Sequence, residues 1–182
     1  MRIAVIGPQN TGKTTFIKDF LKDFDRYKTI DKTYRDIVRD ESLLINQDTT
    51  ENSQQMIRDF MYETIKNNQD MDVIFDRCII DNYVYTYLAY ERGSIAKDFV
   101  ITTKTLLKEH LKYLDALIFI PTAAGVQLVQ DDQRDIDTDY IDDTNRVFLD
   151  TLFEIKDEFY IPIFVLTGNR EKRIKTIKRY LS

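Results

Sequence analysis

The chain has 182 residues, 43% hydrophobic and 31% charged, an ordinary globular composition with room for one domain at roughly 150 residues per domain. Its 26 Lys and Arg against 31 Asp and Glu give a net charge of −5, which argues against a protein built to coat nucleic acid or sit on an anionic membrane. One cysteine, Cys78, excludes an internal disulfide and a Cys-rich zinc site; the lone His110 argues against a His-based metal site; no apolar run approaches the ~18 residues of a membrane span.

Residues 3–6 are an apolar run read as a buried strand. The chain starts directly on it without a signal-peptide pattern, so a cytoplasmic location is expected. The spacing of Phe16, Ile17, Phe20, Leu21 and Phe24 predicts an amphipathic helix over 13–24. A short second strand is expected near 27–30, then helices over 32–40 and 52–67, the latter capped by Asn52 or Ser53. Residues 73–75 read as a strand, 79–91 as a Tyr-rich helix stopping at Gly93, and 95–113 as another helix. A strand at 116–120 closes at Pro121. The polar, acidic stretch 122–139 reads as a loop, and a helix at 140–159, a strand at 163–166 and a basic helix at 170–181 complete the chain. Alternating strands and helices imply an α/β fold: a parallel sheet of five strands covered on both faces, in three layers. Ligands of such sheets sit outside the carboxyl ends of the strands, which directs attention to the loops after Ile6, Phe75, Ile120 and Leu166.

The first of these loops carries the strongest signal. Gly7-Pro8-Gln9-Asn10-Thr11-Gly12-Lys13-Thr14 fits the G-x-x-x-x-G-K-[ST] phosphate loop, and a strand precedes it and a helix follows, the context that the motif needs. Gly7 and Gly12 let the backbone wrap phosphate oxygens, and the N–H groups around Asn10, Thr11 and Thr15 join the helix N-terminus in holding them. Lys13 would reach the β- and γ-phosphates of ATP, and the Thr14 hydroxyl would ligate Mg²⁺. The strand at 73–75 ends in Asp76-Arg77. An acid at such a strand end serves a phosphate loop either through Mg²⁺ or as a base, whereas a plain surface Asp–Arg pair is the bland alternative.

The segment Asp76-Arg77-Cys78-Ile79-Ile80-Asp81-Asn82-Tyr83-Val84-Tyr85 resembles the D-R-x-x-x-D-x-x-x-Y segment of P-loop nucleoside and nucleotide kinases, nearest the nicotinamide riboside kinase-like group, with thymidylate and deoxynucleoside kinases as relatives. The resemblance implies that residues 1–182 form a single P-loop kinase domain in which Asp76 activates an acceptor hydroxyl and Arg77 steadies substrate or phosphate. It makes Asp81 a substrate candidate, with a helix cap as the alternative. Gln130 to Asp135 resembles the lid of the same group, over about 122–139, with Arg134 as the arginine that closes on the phosphates and Arg146 as a second candidate; Asp132 stands where the group tends to have Gly. The stretch from Ile30 to Arg35 loosely matches the group's acid-then-arginine segment, which nominates Arg35. Asp48 and Thr49 lie where an acceptor pocket is expected, although turn formation explains them too. Among the tyrosines of 83–90, Tyr83 or Tyr87 could stack on a base while the others pack in the core.

The function expected is transfer of the γ-phosphoryl of ATP to a small nucleoside or nucleotide acceptor. One alternative is a polynucleotide acceptor gripped by the basic last helix; another is a regulatory P-loop ATPase, against which stand the lack of an N-K-x-D motif and a chain too short for a full AAA+ module. The acidic loop lacks the glycine and the spaced Glu of an EF-hand. His110 and Cys78 read as core residues. The acceptor and the oligomeric state stay open.

Overall fold

The structure, a computed structural model, describes residues 1–69, 72–122 and 137–181. Strand β1 (Arg2–Ile6) leads into α1 (Lys13–Asp23), α2 (Tyr34–Asp40), a 3-10 turn at Asn46–Asp48 and α3 (Glu51–Lys66). Then come β2 (Val73–Asp76), α4 (Ile79–Glu91), α5 (Lys97–His110), β3 (Ala116–Phe119), α6 (Thr138–Phe159), β4 (Ile163–Val165) and α7 (Arg170–Leu181).

Among the described residues the sheet has four strands in the order β2-β1-β3-β4, all parallel. The expected fifth strand at 27–30 shrinks to one parallel bridge between Lys28 and Val73. Lys28 donates to the Asp72 carbonyl (2.9 Å) and accepts from Ile74 N (2.9 Å), after which exposed Thr29, core-packed Ile30 and the polar residues 31–33 lead away to α2. That turn is set by a reciprocal cap, in which Thr33 N donates to Asp36 Oδ2 at 2.7 Å.

Successive residues of a strand face opposite sides, and here both sides are apolar. Ala4 and Ile6 join a core built with α3, α4, α5 and α6, whereas Ile3 and Val5 join a second core under α1 and α7. Phe16, Ile17 and Phe20 bury the inner face of α1, and the Phe20 ring lies 4.4 Å from that of Phe24 and 5.1 Å from Tyr27. Each such fully buried side chain stabilises the fold by roughly 1.5–3 kcal/mol. This is the three-layer arrangement expected from the sequence, and no described helix is long and apolar enough to cross a membrane.

Some boundaries shift for local reasons. Thr50 caps α3, accepting from Ser53 N at 3.2 Å, in place of Asn52 or Ser53. Helix α5 ends at His110 and tightens into a 3-10 turn at Leu111–Tyr113. Helix α6 begins two residues early because the Asp137 carboxylate accepts from Asp139 N (3.0 Å) and Tyr140 N (3.2 Å). Most of the expected lid, with Arg134, lies outside the described residues.

Candidate active site

The order β2-β1-β3-β4 places the loop after β1 where the chain switches direction across the sheet, beside the end of β2. Three positive-φ residues shape it: Gly7 (140°), Asn10 (61°) and Gly12 (82°). A Cβ on Gly7 would collide with the Ile120 carbonyl oxygen, so that position closes tightly on β3. Asn10 is among the few non-glycine residues that tolerate the left-handed region. Gly12 caps α1 with no side-chain hydrogen bond, and the first turn of α1 carries no acidic residue, which leaves the helix's N–H groups and positive end facing the recess.

Lys13 is buried, and its Nζ donates to the Gly7 carbonyl (2.7 Å) and the Pro8 carbonyl, with Thr11 Oγ1 at 3.5 Å. Burial first, and the nearby Arg77 cation second, push this amine well below the ordinary lysine range. Thr14 Oγ1 donates to Asp76 Oδ2 at 2.8 Å, so the hydroxyl and carboxylate nominated for Mg²⁺ adjoin each other. Asp76, Arg77 and Arg35 line the same recess as the loop.

Arg77 is a buried non-glycine residue at φ 79°, a strained conformation costing on the order of 1–3 kcal/mol. Its N–H donates to the Val5 carbonyl (3.0 Å), Nη1 donates to Asp81 Oδ1 (2.8 Å), and its guanidinium lies 5.0 Å from the Tyr34 ring centre and 5.4 Å from that of Tyr85. Burial opposes the charge on Arg77, but Tyr34, Tyr85, Asp81 and Asp76 outweigh it, and the cation is held. Asp81 also accepts from Cys78 N (3.2 Å) and Gly7 N (3.4 Å). Burial raises its pKa while Arg77 and Lys13 pull the other way. Asp81 therefore ties the start of α4 to the phosphate loop. It borders the neighbouring recess, but its oxygens are taken by these contacts.

That second recess shares Gln9, Tyr34 and Arg77 with the first and runs between α3 and α4, bordered also by Gln54, Asn82 and Tyr85. Asp48, Thr49, Tyr83, Tyr87 and Arg146 are not among its walls, and Arg35 lines the phosphate recess instead. Asp48 is exposed in the 3-10 turn, while neighbouring Thr49 is buried and accepts from Gln54 Nε2 at 2.8 Å. Tyr83 packs in the core, toward Tyr87 and the Lys104–Glu154 pair, because Tyr85 is the tyrosine on the inward side of α4. Arg146 lies half-exposed on α6 among Glu91 (3.3 Å), Asp143 (3.7 Å) and Asp150 (3.8 Å), so local ion pairs account for it.

Arg173, which the basic pattern of α7 conceals, is buried and donates from Nη1 to the Thr11 carbonyl at 2.8 Å, on the wall of the phosphate recess. Its spacing of four from buried Ile177 is the signal that separates it from its solvent-facing neighbours. Arg170 and Lys178 of the same helix pair with Asp19 (2.7 Å) and Asp23 (2.9 Å), which leaves less positive face for a polynucleotide. His110 is fully buried and stacks on Tyr62 at 5.1 Å, and burial also pushes the Cys78 thiol well up; both are core residues.

A glycine-shaped phosphate loop at the head of a parallel α/β sheet, with lysine, threonine and a strand-end aspartate converging on it, defines a P-loop nucleotide-binding protein. The chain belongs to the AAA domain family, whose profile matches residues 2–173. Its fold is that of P-loop nucleoside and nucleotide kinases. It superposes on deoxyadenosine kinase from M. mycoides with bound dATP with a TM-score of 0.70, at 16% identity, over 100% of this chain and 99% of that one. Thymidylate kinase from Candida albicans gives 0.69 at 14% identity, over 99% and 90%. NadR in complex with NR gives 0.71 at 15%, over 98% of this chain and 51% of the NadR chain. No curated protein sequence matches the chain.

Proposed function

We propose that the chain is an ATP-dependent kinase that moves the γ-phosphoryl group to a small nucleoside or nucleotide acceptor. The observation that supports this best is the phosphate-loop recess, a cavity of about 430 Å³ in which Asp76, Arg35 and Arg77 stand beside Lys13 and Thr14. Holding two reactants together there lowers the barrier entropically. Gln9, Tyr34 and Arg77 also border the smaller recess of about 30 Å³ between α3 and α4.

In the donor recess, Lys13 exchanges its contacts to the Gly7 and Pro8 carbonyls for β- and γ-phosphate oxygens, a swap of neutral for charged acceptors. Thr14 and Asp76 suit Mg²⁺, which takes one or two carboxylates and completes its shell with phosphates and water. When bound, the ion neutralises charge on the β- and γ-oxygens. Arg77, fixed by Asp81 and two rings, and Arg35 place positive charge beside the transferring group. Asp76 holds the ion or orients the acceptor hydroxyl. Arg134 is proposed to close on the phosphates from the lid.

The test is a panel of nucleosides, nucleotides and single-stranded DNA and RNA incubated with γ-labelled ATP and Mg²⁺. Label should pass to a nucleoside or nucleotide and not to the polymers. Steady hydrolysis with no labelled acceptor refutes the proposal in favour of an ATPase.

A further inference from the structure

The peptide unit between Thr11 and Gly12 is held from the far end of the chain. Thr11 is buried; its carbonyl accepts from Arg173 Nη1 at 2.8 Å, and its hydroxyl donates to the Pro8 carbonyl at 3.0 Å. The next carbonyl, that of Gly12, accepts from Phe16 N at 2.9 Å in the first turn of α1. Gly12 sits at φ 82°, ψ 25°, and without a Cβ it lets the peptide before it turn over more readily than any other residue would. A Cβ there would come to 3.2 Å from Arg173 Nη1, so the glycine also makes room for the guanidinium. Arg173 is placed in turn by the core. Ile177, one turn further along α7, is fully buried with Phe16, Ile17 and Phe20 of α1.

In a trans peptide the carbonyl and the following N–H point in opposite directions, and none of the described peptide bonds is cis. With the Thr11 carbonyl turned to Arg173, the Gly12 N–H faces the other way, across the loop. We propose that Arg173 is a positioning residue for the donor: by pinning the Thr11 carbonyl it aims the Gly12 N–H at the β-phosphate. Without the guanidinium, a buried carbonyl lacks its partner, which is costly. The Lys13 ammonium, 3.5 Å from Thr11 Oγ1, is then the nearest cation toward which the peptide can turn. A turned peptide sets a carbonyl oxygen against phosphate oxygens and withdraws one N–H from the ring of donors that cradles them. Arg173 thus acts through the backbone and touches no substrate atom. This inference rests on the kinase reading for the polyphosphate in the loop and is independent of the acceptor.

The test uses the full chain with inorganic tripolyphosphate and Mg²⁺, a probe without base or sugar, beside ATP·Mg²⁺. The chain has five glycines, and only Gly12 and Gly168 follow a threonine, so labelling glycine nitrogen together with threonine carbonyl carbon selects their two amides. Gly168→Ala tells them apart. The Gly12 amide proton should move downfield when tripolyphosphate binds the wild type and barely move in Arg173→Met. Calorimetry should find tripolyphosphate and ATP weakened by the same factor in Arg173→Met, about tenfold for one charge-assisted hydrogen bond, with Arg173→Lys in between. In the transfer assay KM for ATP should rise by that factor while kcat changes by no more than about twofold, because the N–H holds the β-phosphate in ground and transition states alike. Unaltered tripolyphosphate binding, or a lowered Tm with an unchanged KM, overturns the proposal. So does a loss confined to ATP, which would put Arg173 on the base or ribose. A wild-type Gly12 amide that ignores tripolyphosphate overturns it as well, and that measurement needs no variant to fold. Arg173-dependent tripolyphosphate binding with no transfer to any acceptor supports this inference and strikes down the kinase reading. Transfer together with Arg173-independent binding does the opposite.

Discussion

Arg173→Met isolates the contact between the last helix and the phosphate loop. Methionine keeps much of the aliphatic stem and removes the guanidinium. The bond lost is Nη1 to the Thr11 carbonyl at 2.8 Å, with one charged partner and little solvent access, a class worth about 1.5–3 kcal/mol. Against it, Arg173 Nε is buried without a partner among the described residues, and burial lowers the guanidinium's pKa, so removing the cation relieves some desolvation. The net loss should be about 1–2 kcal/mol. For a chain of this size that lowers Tm by roughly 2–8 °C. Arg170→Met removes a bidentate pair to Asp19 (2.7 and 2.8 Å), which has better geometry but faces solvent, so its effect should be smaller. Differential scanning fluorimetry of the two variants compares them directly. Adding ATP·Mg²⁺ should stabilise Arg173→Met less than wild type, since the Thr11 carbonyl belongs to the loop proposed to hold phosphate. A Tm within 1 °C of wild type and an equal ATP-induced shift would refute the view that α7 braces the loop.

Lys13→Ala should abolish ATP-dependent transfer while urea unfolding stays cooperative; measurable transfer would place the phosphates elsewhere. Asp76→Asn should weaken Mg²⁺-dependent ATP binding and turnover together, because Asp76 sits against Thr14, whereas a fall in turnover alone would make Asp76 the base. Gly7→Ala should cost more than about 3 kcal/mol, combining strain at φ 140° with a clash against strand backbone, while Gly93→Ala, at φ 79° with open space around it, should cost only about 1 kcal/mol. Soluble yield and chemical denaturation of the two separate these cases. His110 is lowered from 6.5 to about 4 by burial, so between those values the unfolded chain takes up a proton that the folded chain refuses, and stability falls as pH drops. The limit is about 3 kcal/mol; His110→Phe should flatten the urea midpoint between pH 7 and pH 4.5, and an unchanged slope would show that other groups carry it.

The phosphate half of the site is legible in the sequence because its chemistry is local. Eight consecutive residues set the backbone path, the lysine and the hydroxyl, and an apolar strand ending in Asp76 supplies the acid. The strand near 27–30 misleads for a related reason. β-Propensity over four residues does not reveal that only Lys28 finds a partner before the chain turns toward α2.

The recess between α3 and α4 is written across elements that meet only in the fold. Gln9 comes from the loop, Gln54 from α3, and Asn82 and Tyr85 from α4, and nothing in their spacing says that they converge. On α4 the sequence has apolar or aromatic residues all round, so no stripe tells which side faces the recess. Tyr83 and Tyr85 are two residues apart, about 200° around a helix, and so they cannot serve the same wall. Which of them does is settled by Asp81, whose bonds to Arg77, Cys78 N and Gly7 N orient the first turn and carry the face four residues on, that of Tyr85, toward the loop. A buried acid that bridges two loops thus decides which tyrosine borders the recess. The same logic separates Arg173 from Arg170: two arginines three residues apart differ in role because one lies four residues before buried Ile177 and the other lies opposite Asp19.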